Sequence, residues 1–465
     1  MSAKNYLLNM LLVGSSIVML SSCEKNDVYD PSNAKKTTDV VILDGFDWAT
    51  TRNVTISMQS PVATSASIYL DKDCNQLVAE FPVKEGKSNA TFELPISNTS
   101  IWMKYPLKSG GDEVAELQIH QSDATRVGSS EWIANKLFPD YATTPAYNPT
   151  LGKSIAYQPS EGKYGTIMFE DNWPNLGDYD FNDFVVNYQI KAQDNPHFTD
   201  GMGGNYDYNR EVTVFVSLKL RAMGGSFPYR FCMQLGKGAH GEGGTAGTGT
   251  IFDVKRADVT IQDVNITPSL GGADVKLIEG TEYPIIALEG FRELTKKTGG
   301  SFYNTEQNHL ISHDQTTVVT FTIVVNTSNI ASDASAVLKG IGSQFAFDYF
   351  LQREDNGQEI HILGYAPSEL YGNYEADLKG QQTKNYYCND KGFVWALKVP
   401  QEIPWATEKK DIKFVYNKFA DWLTMGGYIF EPNLPNSVPL RWYDWTVKDG
   451  RFTEDTNLYV NPNEH

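Results

Sequence analysis

The run Glu170-Asp-Asn-Trp-Pro-Asn-Leu-Gly177-Asp178-Tyr-Asp180-Phe-Asn182-Asp183 crowds carboxylates and a carboxamide into one short connection. Asp178, Asp180 and Asn182 alternate with Tyr179 and Phe181, so three oxygen-bearing side chains can converge while two aromatics point elsewhere. Carboxylates held this close raise one another's pKa or recruit a counter-charge. An all-oxygen set suits a hard cation, and calcium (Ca2+) is the expected guest. Asp178, Asp180, Asn182 and Asp183 are the leading ligands, with Glu170 or Asp171 from the preceding strand end to complete the shell. The competing reading is a solvated acidic turn in which Asp and Asn side chains bond their own backbone.

The Asp-x-Asp-x-Asn spacing opens an EF-hand loop, but the remainder departs from it. Asp183 stands where such a loop needs Gly, and Gln189 where it needs a bidentate Glu. Phe184, Val186, Tyr188 and Ile190 share one face of a period-2 run, which predicts a strand rather than an exiting helix. The ligands are therefore expected in a strand-to-strand connection.

The run from Phe169 to Tyr188 resembles the signature of LruC-domain lipoproteins of Bacteroidetes-type bacteria. Gln358-Glu-Ile-His361-Ile-Leu-Gly-Tyr-Ala-Pro367-Ser, the stretch from Tyr386 to Pro400 and the stretch from Ile412 to Gly427 are similar to further segments of that family. Together these cover about residues 146–455. Gln358 stands where the family usually has Arg, which removes an anion-pairing group from that position. The resemblance implies a lipoprotein of largely uncharacterised function.

The N terminus gives an address. Lys4 precedes an apolar run from Leu7 to Leu20 that is too short for a permanent membrane span, as in a signal peptide. Leu20-Ser-Ser-Cys23 matches a lipobox, in which Cys23 is lipidated and becomes the new N terminus. Several acyl chains give durable anchoring, and Glu24 to Lys36 reads as a polar tether. The expected location is the outer membrane, lipid-anchored and facing the cell exterior.

The chain of 465 residues carries a formal net charge of −18, one unit more negative once the leader with Lys4 is removed. Such a surface lacks the basic footprint that nucleic acid requires. The hydrophobic fraction of 41% is ample for folded cores. Cys74, Cys232 and Cys388 remain after lipidation, so at most one disulfide can form, and no Cys or His cluster has zinc spacing.

Short strands broken by Gly, Pro, Asn and Asp fill residues 38–125 and predict an immunoglobulin- or fibronectin-like β-sandwich. A linker over 126–147, with a short helix at Ser130 to Leu137, is expected to lead into a larger antiparallel β-sandwich domain over 148–460 with a C-terminal helix near 410–424. Residues 1–22 are read as leader and 23–37 as lipidated Cys and tether, so the fold class is mainly β.

Other stretches offer weaker chemistry. Asp71-Lys-Asp73-Cys-Asn75 repeats the acidic spacing but reads as a hairpin turn. The loop from Asp200 to Asn209, with Asp207, reads as either an exposed loop or a second cation or carbohydrate contact. The glycines of residues 236–250 fit neither phosphate-loop pattern. Trp442, Tyr443 and Trp445 read as interface anchors or as an aromatic platform for sugars. Glu359 and His361 share a strand face but lack a neighbouring nucleophile, and read as a structural pair.

Three functions fit these features: a surface-anchored binding or adhesion module for a glycan or a host or matrix protein, rigidified by calcium; a structural component of the cell envelope; and a glycoside hydrolase. The third needs paired carboxylates in opposed environments. No such pair stands out beside the metal candidates, so the chain is expected to bind rather than catalyse.

Overall fold

A computed structural model describes residues 35–121, 132–140, 154–194, 211–235, 254–326, 347–429, 438–444, 451–453 and 458–460. Cys23 with its lipobox, most of the tether, Asp207, the glycine-rich loop and Trp445 lie outside the described residues. Lys36–His465 form one compact unit, and it is mainly β.

The N-terminal part contributes β1 (Thr51–Ser60), β2 (Thr64–Tyr69), β3 (Leu77–Val83), β4 (Gly86–Pro95), β5 (Ser100–Pro106), β6 (Asp112–Gln118), β7 (His120–Gln121) and β8 (Trp132–Leu137). The chain continues through β9 (Ile155–Gln158), β10 (Gly165–Phe169), β11 (Phe184–Asp194), β12 (Glu211–Ala222), β13 (Tyr229–Leu235), β14 (Val259–Thr267), β15 (Asp274–Leu277) and β16 (Ile285–Glu289). It continues with β17 (Thr317–Asn326), β18 (Phe347–Arg353), β19 (Glu359–His361), helix α1 (Tyr374–Asp377), the β20–β21 hairpin (Thr383–Asn385, Cys388–Asn389), β22 (Ala396–Val399) and helix α2 (Phe419–Thr424), followed by two short pairings, Tyr428–Ile429 with Val438–Pro439 and Arg451–Thr453 with Leu458–Val460.

One long sheet runs β14-β17-β12-β11-β9-β3-β2-β5-β6, with β10 and β22 branching from β11. A second sheet, β15-β16-β13-β18-β19, covers the β11 side, and a third, β4-β1-β8-β7, covers the N-terminal half. Alternation along β11 and β18 supplies the buried aromatics: Phe184 stacks on Phe231 at 5.8 Å, and Phe231 on Tyr349 at 6.1 Å. In the N-terminal half Phe81 meets Phe92 at 5.2 Å and Tyr105 meets Phe138 at 5.0 Å. Strand β9 pairs with β3 on one edge and β11 on the other, so the long sheet is continuous from the N-terminal strands into the larger region.

Two local expectations are corrected. Residues 132–137 form a strand, not a helix, and pair in parallel with β1 from Val54↔Trp132 to Gln59↔Leu137. Trp and Ile favour a pleated surface, and the open edge of β1 offers a ladder that outweighs weak helical propensity. The stretch 410–424 breaks into a 3-10 turn at Ile412–Phe414 and the short α2. The apolar face is as expected, with Ile412, Val415, Tyr416, Phe419 and Leu423 buried. Asp411 caps the turn by accepting from the Lys413 N–H at 3.0 Å, and the two pieces follow the core separately.

Because β9 joins both halves, hydrogen exchange during a urea titration should show protection in β1–β5 and in β11–β18 disappearing at one concentration. A first transition confined to residues 51–121 would contradict a shared core.

Candidate functional site

Strand β10 brings the chain to Glu170, whose N–H continues the ladder by donating to Trp395 O at 2.9 Å. The connection then folds back to start β11 beside β12. Just beyond the end of β12, the N–H groups of Gly224 and Gly225 donate to Asn182 O at 3.0 Å and Asp183 O at 3.2 Å. A register shift at Val185/Val186 bends β11 beside this connection.

Within the connection Tyr179 and Phe181 adopt φ of 62° and 54°. The left-handed conformation costs roughly 1–2 kcal/mol per non-glycine residue. Burial of both rings offsets it: each is fully buried, their centroids lie 4.7 Å apart, and Tyr179 donates its hydroxyl to Val394 O at 3.0 Å. The twist turns the Tyr179 and Phe181 N–H groups onto Glu170, which accepts them at 3.3 and 2.5 Å on its two oxygens. A backbone nest thus grips a buried carboxylate.

The oxygens of Glu170, Asp178 and Asp180 lie within 4.8 Å of one another, Glu170 and Asp180 buried and Asp178 half-buried. Asp180 accepts from Asn182 N, from Asn182 Nδ2 at 2.8 Å and from Lys409 N at 2.8 Å. Asn182 is fully buried and its Oδ1 has no partner. Asp183 and Asp171 lie to one side: Asp183 accepts from Asp171 N at 2.6 Å, and Asp171 from Phe227 N at 3.2 Å. The expected ligands therefore divide. Glu170, Asp178 and Asp180 converge, Asn182 borders them, and Asp171 with Asp183 brace the walls.

Burial pushes Glu170, Asp180 and Asp183 well above the ordinary carboxylate range, with neighbouring carboxylates adding to the shift. Asp171 is raised by burial too, against the pull of the Phe227 N–H, Arg292 and Arg353. Among the described residues, no Lys or Arg forms an ion pair with any of these groups. Each oxygen of Glu170 accepts one N–H, leaving a second lone pair for a cation. The donor set and the surplus negative charge both fit a hard divalent ion.

Sequence reasoning missed Glu408, which follows β22. Burial raises it to about 7, with Asp178 adding to the shift. Its Oε2 accepts from Thr305 Oγ1 at 3.1 Å. Its distance along the chain hid it, although its neighbour Lys409 bonds Asp180.

Other candidates settle into packing. Asp71 accepts from the N–H groups of Asp73, Asn75 and Gln76, a self-bonded turn. Trp442 and Tyr443 form no exposed platform: both are buried, and Trp442 packs on Phe419 at 4.8 Å and Tyr416 at 5.0 Å. Apolar neighbours along α2 claimed these rings. His361 is fully buried between Asp348 at 2.8 Å and Glu359 at 3.0 Å and stacks on Phe350. Burial alone would lower its pKa, but the two carboxylates outweigh it and lift it to about 9. Gln358 donates to Trp173 O at 3.3 Å, supporting the connection where the LruC pattern has Arg. Cys74, Cys232 and Cys388 are free thiols.

Residues 209–431 match a family described as a domain of unknown function, DUF4842. The fold is similar to that of a putative lipoprotein from Bacteroides ovatus, whose crystal structure aligns with a TM-score of 0.58 at 20% identity, covering 82% of this chain and 97% of that one. No curated protein matches the chain. At 20% identity the likeness to that crystal structure is one of fold.

Carboxyls with raised folded-state pKa stabilise the protein while protonated, and that stability is lost as pH rises through the folded values. In chelator, the melting temperature should therefore fall as pH climbs from about 4.5, the ordinary Glu value, through about 7, the value for Glu408. Saturating calcium should remove most of this fall. A chelated protein whose melting temperature rises steadily over that window would contradict the assignment.

Proposed function

We propose that the protein is a lipoprotein held at the outer membrane through Cys23, with a β-rich module that binds a glycan or a surface protein and is rigidified by calcium. The lipobox and the likeness to a Bacteroides lipoprotein support the anchor. The observation that carries the calcium reading is the convergence of Glu170, Asp178 and Asp180 within 4.8 Å without a compensating cation. Burying several such charges unpaired costs several kcal/mol per ion. A dication held by these oxygens offsets that cost and ties the connection into one conformation.

The ion would sit beneath Asn172, Asn175 and Gly177, which are exposed on the same connection. Carboxamides held rigidly suit a hydroxyl-rich ligand, because ordering them beforehand lowers the entropy cost of binding. The buried Trp442 and Tyr443 take no part. The wall residues Asp171 and Asp183 are bonded to backbone and offer no split acid and base pair, so the reading stays with binding rather than glycoside hydrolysis. A purely structural role in the envelope shares the anchor and the ion but requires no small ligand.

Asp180→Ala should lower the melting temperature by several degrees in calcium and leave it nearly unchanged in chelator. Equal melting curves for the unaltered chain with and without calcium would contradict the ion site. On a glycan and matrix-protein array, the calcium-loaded protein should retain a partner that chelation releases. Release of a cleaved product would instead support a hydrolase.

A further inference from the structure

Nine large apolar side chains are well exposed among the described residues, and four of them, Val41, Leu43, Phe414 and Met425, belong to two segments that lie side by side. Contacts join those segments along their length. Asp411 accepts from Thr37 N at 2.7 Å and from the Thr37 hydroxyl, Leu43 N donates to Leu423 O at 3.4 Å, and the Phe46 ring meets Trp422 at 4.8 Å. Residues 37–46 are thereby laid along the 3-10 turn at Ile412–Phe414 and along α2. Ile42 is buried against Gly392, which leaves Val41 and Leu43 on the outer side, 64% and 46% exposed. Leu43 borders Gly426, next to Met425 at 44%.

Single exposed apolar groups need no explanation, but a contiguous set does. Two observations identify what meets this one. Lys410 Nζ and Lys413 Nζ lie 5.6 and 5.3 Å from the centre of the Phe414 ring, which is 42% exposed. A ring flanked by ammonium groups suits the boundary of a bilayer, where the ring enters the acyl region and the lysines keep their heads at the phosphates. The acids on the same stretches are engaged within the protein: Asp44 pairs with Lys384 at 2.9 Å and Asp421 with Lys418 at 2.6 Å, while Asp39 accepts from Lys36 N and Asp47 from Ala49 N. The second observation is covalent. The chain from Cys23 enters the module at Thr37, beside this surface, after at most about 50 Å of fully extended backbone. A short link of this kind keeps the surface at high effective concentration near whatever holds Cys23.

We propose that Val41, Leu43, Phe414 and Met425 form a docking face for an anionic lipid surface, with Lys410 and Lys413 meeting lipid phosphates. The face rests on the lipid-anchor reading for its nearness to the bilayer and is independent of calcium. Acyl chains at Cys23 hold the protein at the membrane, and the face fixes which side of the module is turned to it.

Vesicle sedimentation of the mature chain carrying Cys23→Ala, which cannot be acylated, separates the face from the anchor. This chain should bind vesicles of phosphatidylethanolamine and phosphatidylglycerol, and Phe414→Ser with Met425→Ser should weaken binding about tenfold. Phe215→Ser, at an equally exposed ring on β12, should leave it unchanged. Lys410→Gln with Lys413→Gln should weaken binding to these vesicles and not to phosphatidylcholine alone. In the acylated, unaltered protein the same vesicles should slow hydrogen exchange over residues 37–46 and 411–426, a readout that needs no variant to fold. Absence of both vesicle binding and protection would overturn the docking face, as would an equal loss in Phe215→Ser. Self-association without lipid that Phe414→Ser abolishes would assign the face to a second copy and overturn it too. A mass spectrum of the unaltered protein with no acyl group on Cys23 would overturn the anchor reading separately.

Discussion

Glu170, Asp178 and Asp180 converge where β10, β11, β12 and the loop after β22 come together, with Asp171, Asp183 and Glu408 around them, and no basic side chain among the described residues forms an ion pair with any of them. Protein interiors tolerate buried charge only when it is hydrogen-bonded and compensated. The hydrogen bonds are present: the nest under Glu170, the Asn182 and Lys409 contacts of Asp180, and the Phe227 N–H on Asp171. The compensation must come from protons or from a cation. Local geometry follows from that constraint, including the left-handed Tyr179 and Phe181 and the glycines at 224 and 225, against which Asn182 and Asp171 press.

The surrounding sheets make the arrangement possible. Stacked aromatics from β11, β13 and β18 fix the long sheet against its cover, and the Tyr179 and Phe181 rings anchor the connection into the same apolar interior. The acidic side chains are thus held on backbone whose alternatives would expose two large rings. A second buried charge group, His361 between Asp348 and Glu359, shows the other solution, in which the counter-charge is a side chain. The contrast is informative because the two clusters belong to one unit: one carries its own cation and the other does not.

Much of this was legible in the chain. Period-2 patterning located most strands, and the spacing of Asp178, Asp180 and Asn182 against two aromatics identified a connection in which oxygens converge and rings turn inward. What escaped depended on distance or on context. The parallel pairing of Trp132–Leu137 with β1 is decided by an open strand edge, which a local window does not contain. Glu408 and Asp348 are unremarkable acids until the fold sets them beside Asn182 and His361. Trp442 and Tyr443 were ambiguous because composition alone does not distinguish a ring that stacks on a ligand from one that stacks on Phe419 and Tyr416. The split among the acidic residues, some converging and others bracing, follows from which oxygen each backbone N–H claims.

The most direct measurement is a crystal structure of the protein grown with calcium, with an anomalous difference map phased from the refined coordinates. The account requires an anomalous peak between Glu170, Asp178 and Asp180, with oxygen distances of about 2.3–2.6 Å. Well-ordered side chains around water alone, with no anomalous signal in ample calcium, would contradict it.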